Sequence, residues 1–200
     1  ILMFSLEMSK EQLVQRMLCC EAKINLLKLR QGMLSDEDMG KMLLSAGRLE
    51  QVPIFIDDTP SLNTFELRAR ARRLKASEDI QLIVVDYLQL MKSSRRAENR
   101  QQEISEISGS LKALAKELNI PVVAISQLNR APEQRGTKEP ALSDLRESGS
   151  LEQDADLVLL LYRNREDEEL AKVADVIIAK QRNGPLGRVH LTFREEFARF

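Results

Sequence analysis

Leu82-Ile83-Val84-Val85-Asp86-Tyr87-Leu88-Gln89-Leu90-Met91 decides the fold. Four aliphatic residues in a row are followed by one carboxylate. A strand with one wet face alternates apolar and polar residues. An unbroken apolar run suits a strand covered on both faces, the usual condition of a parallel sheet flanked by helices. The same pattern places the aspartate at the strand's C-terminal end, where open α/β sheets bind their ligands.

Working outward, short aliphatic runs recur at 1–5, 54–57, 122–126 and 157–162, and two more strands are expected at 176–180 and 188–193. Helical patterns lie between them. Ser9 with Gln12 reads as a capping box opening a helix through Cys20. Ser35 with Asp38 marks a second start, with Met39, Met42, Leu43, Ala46 and Leu49 at helical spacing. A third helix is expected from about 63 to 75. A fourth carries Ile104, Ile107, Leu111, Leu114, Ala115 and Leu118 on one face and stops before Pro121. Asn183-Gly184-Pro185 signals a turn, so the last two strands read as an antiparallel hairpin. The sum is an α/β fold: a mostly parallel sheet flanked by helices, with an antiparallel C-terminal hairpin. Two long polar connections, 92–102 and 128–153, stand out as candidate functional loops.

Two hundred residues suffice for one domain that buries roughly 70% of its unfolded surface. The chain is 43% hydrophobic and 30% charged, which excludes wholesale disorder. Thirty basic and 31 acidic residues leave a net charge of −1, so any nucleic-acid surface must be local. No apolar run approaches the ~20 residues a membrane span needs. Adjacent Cys19 and Cys20 build neither a disulfide framework nor a zinc site, and the reducing cytoplasm is the expected compartment. The chain opens inside the apolar run Ile1-Leu2-Met3-Phe4, as a sequence joined partway through a domain does, and apolar surface is expected to be exposed there.

Three strands run into polar residues: the first into Ser5-Leu6-Glu7, the third into Asp86, the fourth into Ser126-Gln127. Two acids and an amide would then share one sheet edge. Asp86 has the position of a Walker B carboxylate serving Mg²⁺ through water, although an aspartate there also serves as a plain strand end or helix cap. Lys180 and Arg182, two apart in a strand, share a face beside the turn. They could clamp a phosphate, but by themselves read first as a charge-protected edge. The loop 142–150 offers Arg146, serines and Gly149 for phosphodiester contacts. However, 128–150 holds four basic and four acidic residues, which fits a solvated loop as well. Arg68, Arg72 and Lys75 share a helix face, expected to be solvated or a subunit contact. His190 is expected to be structural, the cysteines ordinary helix residues and the methionines core filling.

These blocks resemble a known family. Phe4–Leu13 (FSLEMSKEQL), Ile56–Leu74, Leu82–Met91, Ala124–Arg135, Leu142–Asp156 (LSDLRESGSLEQDAD) and Ala179–Gly187 (AKQRNGPLG) are similar, in order and over nearly the whole chain, to the C-terminal RecA-type motor domain of the bacterial replicative DNA helicases of the DnaB family. The resemblance implies a RecA-like P-loop NTPase core spanning 1–200 and part of an ATP- and Mg²⁺-dependent homohexamer. That ring would translocate on single-stranded DNA, unwind the duplex at the replication fork, and meet a primase and a helicase loader. It implies that Glu7 activates the attacking water, that Asp86 serves Mg²⁺, and that Gln127 senses the γ-phosphate. Lys180 and Arg182 would enter the neighbouring subunit's nucleotide site, and Arg146, Glu147 and Gly149 would hold the single strand.

One departure bears on activity. The family's GxxxxGK[ST] loop does not occur: among the eight glycines no two are five positions apart. The family places that loop, with its strand and helix, upstream of the matched blocks. The 200 residues alone are therefore expected not to hydrolyse ATP. Another RecA-like ring ATPase, of recombinase or clock type, and a non-catalytic nucleic-acid-binding fragment are the alternatives.

Overall fold

The run at 82–86 does form a strand, and three others align with it. The computed structural model describes residues 1–94, 97–128, 139–164 and 172–200, with the backbone alone for 146–148. In chain order its elements are β1 (Leu2–Ser5), α1 (Lys10–Ala22), α2 (Leu26–Arg30), α3 (Asp36–Glu50), β2 (Phe55–Asp57), α4 (Thr64–Glu78) and β3 (Ile83–Asp86). Then come α5 (Arg100–Leu118), β4 (Val122–Ala124), α6 (Gly149–Asp154), β5 (Leu157–Tyr162), β6 (Val173–Gln181) and β7 (Gly187–Thr192). A 3₁₀ stretch, Leu142–Ser148, leads directly into α6.

The first four strands form a parallel sheet in the order β2-β1-β3-β4. Leu2 lies opposite both Phe55 and Ile83, and Ser5 lies opposite Asp86. Because strand side chains alternate, Leu2, Phe4, Ile83 and Val85 share one face, and they are 4%, 0%, 0% and 0% exposed. Leu67 and Ala71 of α4 and Ile104, Ile107, Leu111 and Leu114 of α5 close over that face. Each fully buried aliphatic chain contributes about 1.5–3 kcal/mol of transfer free energy.

The other face differs from expectation. Met3 and Val84 are only half-buried, and Val123 and Ile125 are about half exposed. A continuous aliphatic run records that both faces are apolar, not that one chain covers both. The expected exposure at 1–4 is partial: Ile1 is 40% exposed and Met3 half-buried, whereas Leu2 and Phe4 are buried, and β1 is central, paired on both sides.

The capping boxes at Ser9/Gln12 and Ser35/Asp38 both form, and a third forms at Asn63/Glu66. The fourth helix ends at Asn119 in the left-handed conformation, two residues before Pro121. The apolar stripe of α3 is not a core face. Met39, Leu43 and Leu44 are 49%, 68% and 70% exposed, and Ser45 is the residue α3 buries. The methionines divide accordingly: Met91 is core, whereas Met33 and Met39 are exposed. Cys19 is buried and Cys20 half-buried, both free; burial raises the Cys19 thiol's pKa above its ordinary value.

The fifth strand corrects the sheet order. β5 pairs antiparallel with β6, and β6 with β7, in a separate three-stranded sheet. Its aliphatic composition resembled that of a parallel strand, but its partner is the hairpin that follows. The second long connection is also not a plain loop, since 142–154 is helical. Leu145 and Asp144 are buried there, and the Asp144 carboxylate accepts a hydrogen bond from Ala141 N at 2.7 Å.

The basic face of α4 is paired with carboxylates of the same chain, although Arg68 Nε is buried without a hydrogen bond. Arg68 and Arg72 both pair with Glu117 of α5, Arg70 grips Asp57 with a bond of 2.7 Å, and Lys75 pairs with Asp79 at 2.7 Å. Hydrogen bonds from Arg72 and then Arg68 hold the Glu117 carboxyl at about 2, well below its ordinary 4.5. A depressed carboxylate stabilises above its unfolded pKa, and the contribution fades as pH falls through the folded one. Glu117→Gln should therefore flatten the acid-unfolding curve between about pH 4.5 and pH 2, measured by circular dichroism. A mutant curve parallel to wild type through that window would show that the bridge is fully screened.

Candidate functional site

The parallel register decides which polar groups meet. Ser5 and Asp86 end adjacent strands in direct register. The Leu6 amide donates to Asp86 O at 2.7 Å, so the chain leaving β1 stays beside β3 and delivers Glu7 next to that strand end. Ser5 Oγ, nearly fully buried, donates to Met8 O at 2.7 Å and fixes this turn. On the other side, Ile125 N donates to Val85 O and Leu88 N donates to Ile125 O, both at 2.9 Å. The segment after β4 is thereby held against the segment after β3, and Gln127 lies two residues on. Glu7, Asp86 and Gln127 thus sit at the C-terminal ends of three neighbouring strands. Glu7 and Gln127 are exposed and Asp86 is half-buried.

Sequence reasoning missed the residue that positions this edge. The Gln89 amide donates to Ser126 Oγ at 2.8 Å and to Gln127 O at 3.2 Å, and its Oε1 accepts from Gln127 N at 3.3 Å. One side chain therefore clasps the whole Gln127 peptide. Arg100, at the start of α5, donates in turn to Gln89 O. The signal was present as Leu88-Gln89-Leu90, one polar residue between two aliphatic ones, but its partner is 38 positions away.

Among the described residues no group of three or more His, Cys, Asp or Glu side chains is placed to hold a metal. Two carboxylates at one sheet edge still fit Mg²⁺, which commonly takes one or two carboxylates and completes its shell with water and phosphate oxygens. The backbone loop that would wrap the phosphates is not among these 200 residues.

Lys180 and Arg182 lie apart from that edge, beside α6. Lys180 Nζ donates to Glu152 O and Gln153 O. Arg182 donates to Gln153 O at 2.8 Å and pairs with Asp156 at 3.2 Å. The expected shared face holds, since both cations reach Gln153 O. The opposed residues shift register between Val158 and Leu159, an irregularity of the kind that re-aims side chains near functional positions. At the hairpin tip, a Cβ on Gly184 would stand 2.5 Å from the Gln181 side chain. The side chains of Arg146 and Glu147 lie outside the described residues, as does the 129–135 part of the block after Gln127. Gly149 opens α6 and is exposed, with nothing within 4 Å of where a Cβ would stand. His190 is largely exposed and its Nδ1 sits 2.6 Å from Asp175 on the hairpin.

A parallel sheet with acids and an amide at its C-terminal edge, joined to an antiparallel hairpin with a basic tip, defines the RecA-like class of nucleotide-driven motor domains. The comparisons with known proteins narrow the class. The family model of the DnaB-like helicase C-terminal domain matches residues 1–200, and the chain belongs to that family. It is 54% identical to the replicative DNA helicase DnaB of Geobacillus stearothermophilus, covering all of this chain and 45% of that protein. It is 52% identical to the replicative DNA helicase DnaC of Bacillus subtilis strain 168, with the same coverage. A solved DnaB-like replicative helicase, described with its interactions with primase, superposes over the whole chain with a TM-score of 0.95 at 37% identity. The chain spans 49% of that structure's length and under half of the curated relatives it matches.

The Gln89 clasp predicts a local effect. Gln89→Ala should lower stability by about 1 kcal/mol, a fall in Tm of about 2–4 °C for a domain of this size. Hydrogen exchange at the Gln127 amide should accelerate. Unchanged protection of that amide would show that the clasp is not what holds it.

Proposed function

We propose that these 200 residues are the downstream part of the ATP-hydrolysing motor of a replicative DNA helicase. The observation that carries this reading is the convergence of Glu7, Asp86 and Gln127 on one sheet edge, in a chain that belongs to the DnaB-like family. The protein would act in the bacterial cytoplasm as a homohexamer around single-stranded DNA. The structural relative's interaction with primase supports primase as a partner, and a helicase loader is proposed from the family resemblance.

The residues divide the work. Glu7, exposed at its turn, orients the attacking water and takes its proton. Asp86 would hold Mg²⁺ through water, and the ion would supply neutralisation of the charge that develops on the transferring phosphate. Gln127 offers an amide to the γ-phosphate from a peptide held by Gln89. Lys180 and Arg182 reach the site of the neighbouring protomer, so hydrolysis depends on an intact interface. Arg146, Glu147 and the Gly149 backbone grip the single strand. Such a weakly charged loop suffices because a ring presents it repeatedly.

Two measurements on the longer protein test these roles. Arg182→Ala should lower kcat by about a thousandfold or more. Doping wild-type rings with Arg182→Ala protomers should depress the rate more than in proportion to their fraction, and strictly proportional loss would refute action across the interface. For DNA, fluorescence anisotropy with labelled oligo-dT across a salt series should show weaker binding by Arg146→Ala and a salt slope smaller by about 1. Wild-type affinity and slope would remove this loop from the DNA surface.

A further inference from the structure

The six-residue helix α6 joins two functional parts that the sequence keeps 30 or more positions apart. Its N-terminal end continues the 142–148 segment without a break. At its C-terminal end, Ala155 N donates to Leu151 O, which leaves the carbonyls of Glu152 and Gln153 without helical donors. Lys180 takes both carbonyls, and Arg182 takes the second. Asp156 closes the arrangement from the other side. Its carboxylate pairs with Arg182 at 3.2 Å and with Lys112 of α5, and its carbonyl accepts from Arg182 N at 2.9 Å. Lys112, then Arg182 and Lys180, hold the Asp156 carboxyl below its ordinary pKa. A second tie fixes the same helix end, with Ser108 Oγ of α5 donating to Asp154 at 2.6 Å.

Lys180 is held by two carbonyls, and Arg182 by one carbonyl and a carboxylate, so neither can give all its donors to a phosphate while these bonds stand. Turning those donors to a phosphate takes them from the end carbonyls of α6, which are then left unpaired unless the helix moves with the cations. We infer that α6 links the basic pair to the 142–149 segment, and that Asp156 is a positioning residue that sets the strength of the link. The link rests on the proposed roles of the basic pair and the DNA segment. It adds to them a named physical route by which occupancy of one site biases the other, with reciprocal coupling.

The test uses the longer protein as its gene encodes it. The quantity measured is the ratio of labelled oligo-dT affinities with and without a non-hydrolysable ATP analogue. Asp156→Asn removes the charge while keeping the shape, and should reduce that ratio about fivefold or more. Asp156→Glu, which restores the carboxylate, should recover most of it. Ser108→Ala alters no charge but loosens the same helix end, so it should also reduce the ratio and decides the matter if the Asp156 variants fold poorly. A wild-type ratio in folded Ser108→Ala and Asp156→Asn would overturn the link. If Arg182→Ala left hydrolysis intact, or Arg146→Ala left DNA binding intact, the underlying roles would fail instead.

Discussion

The structure depends on parallel register between β1, β3 and β4. Side-chain direction in a strand repeats every two residues, so a slip of one position would turn Phe4 or Val85 out of the core and an exposed residue in. The core forbids that: Phe4, Ile83, Val85, Ile107 and Leu114 are all sealed. The same register that buries these residues fixes where each strand runs out. Ser5 ends opposite Asp86, and the backbone bonds from Leu6 to Asp86 and from Ile125 to Val85 carry it past the strand ends. Apolar packing on one side of the sheet thus places polar groups at its edge, where the Gln89 clasp and the Ser5–Met8 bond fix the segments that carry Gln127 and Glu7.

Much of this was legible because it is local. Aliphatic runs, capping boxes and the Asn-Gly-Pro turn act over a few residues, and they marked nearly every element to within a few positions. What escaped depends on partners distant in sequence. Leu157–Tyr162 resembles a buried parallel strand, but the choice between sheets is made by β6, some 20 residues on. Gln89 looks like an ordinary amide until Ser126 and Gln127 come beside it. Asp144 counted toward a solvated loop, yet it is buried with its carboxylate on a backbone amide. Met39 and Leu43 had the periodicity of a core face, and periodicity cannot say whether anything in the same chain lies against it.

Charge follows a similar division. Thirty cations and 31 anions nearly cancel, and the structure shows why the total says little about function. Most positive charge on α4 is consumed in bridges: those to Glu117 tie it to α5, that to Asp57 ties it to β2, and Lys75–Asp79 closes its own C-terminal end. Exposed bridges of this kind contribute little individually. Their effect is to leave Arg68, Arg70, Arg72 and Lys75 engaged by carboxylates of this chain.

That contrast explains why Lys180 and Arg182 stand out. The cations of α4 bind carboxylates, partners that keep full charge at neutral pH. The hairpin pair leans mainly on backbone carbonyls at a helix end, with one shared carboxylate. Carbonyl dipoles are weaker partners for a cation than a dianionic phosphate group, so this pair is held in place yet remains exchangeable. Lys180 lies in β6, the central strand of its three-stranded sheet, so its charge protects no edge; it reaches instead to the end of α6. The element that holds both cations is the one that continues from 142–149, so the hairpin and that segment share a single mechanical support.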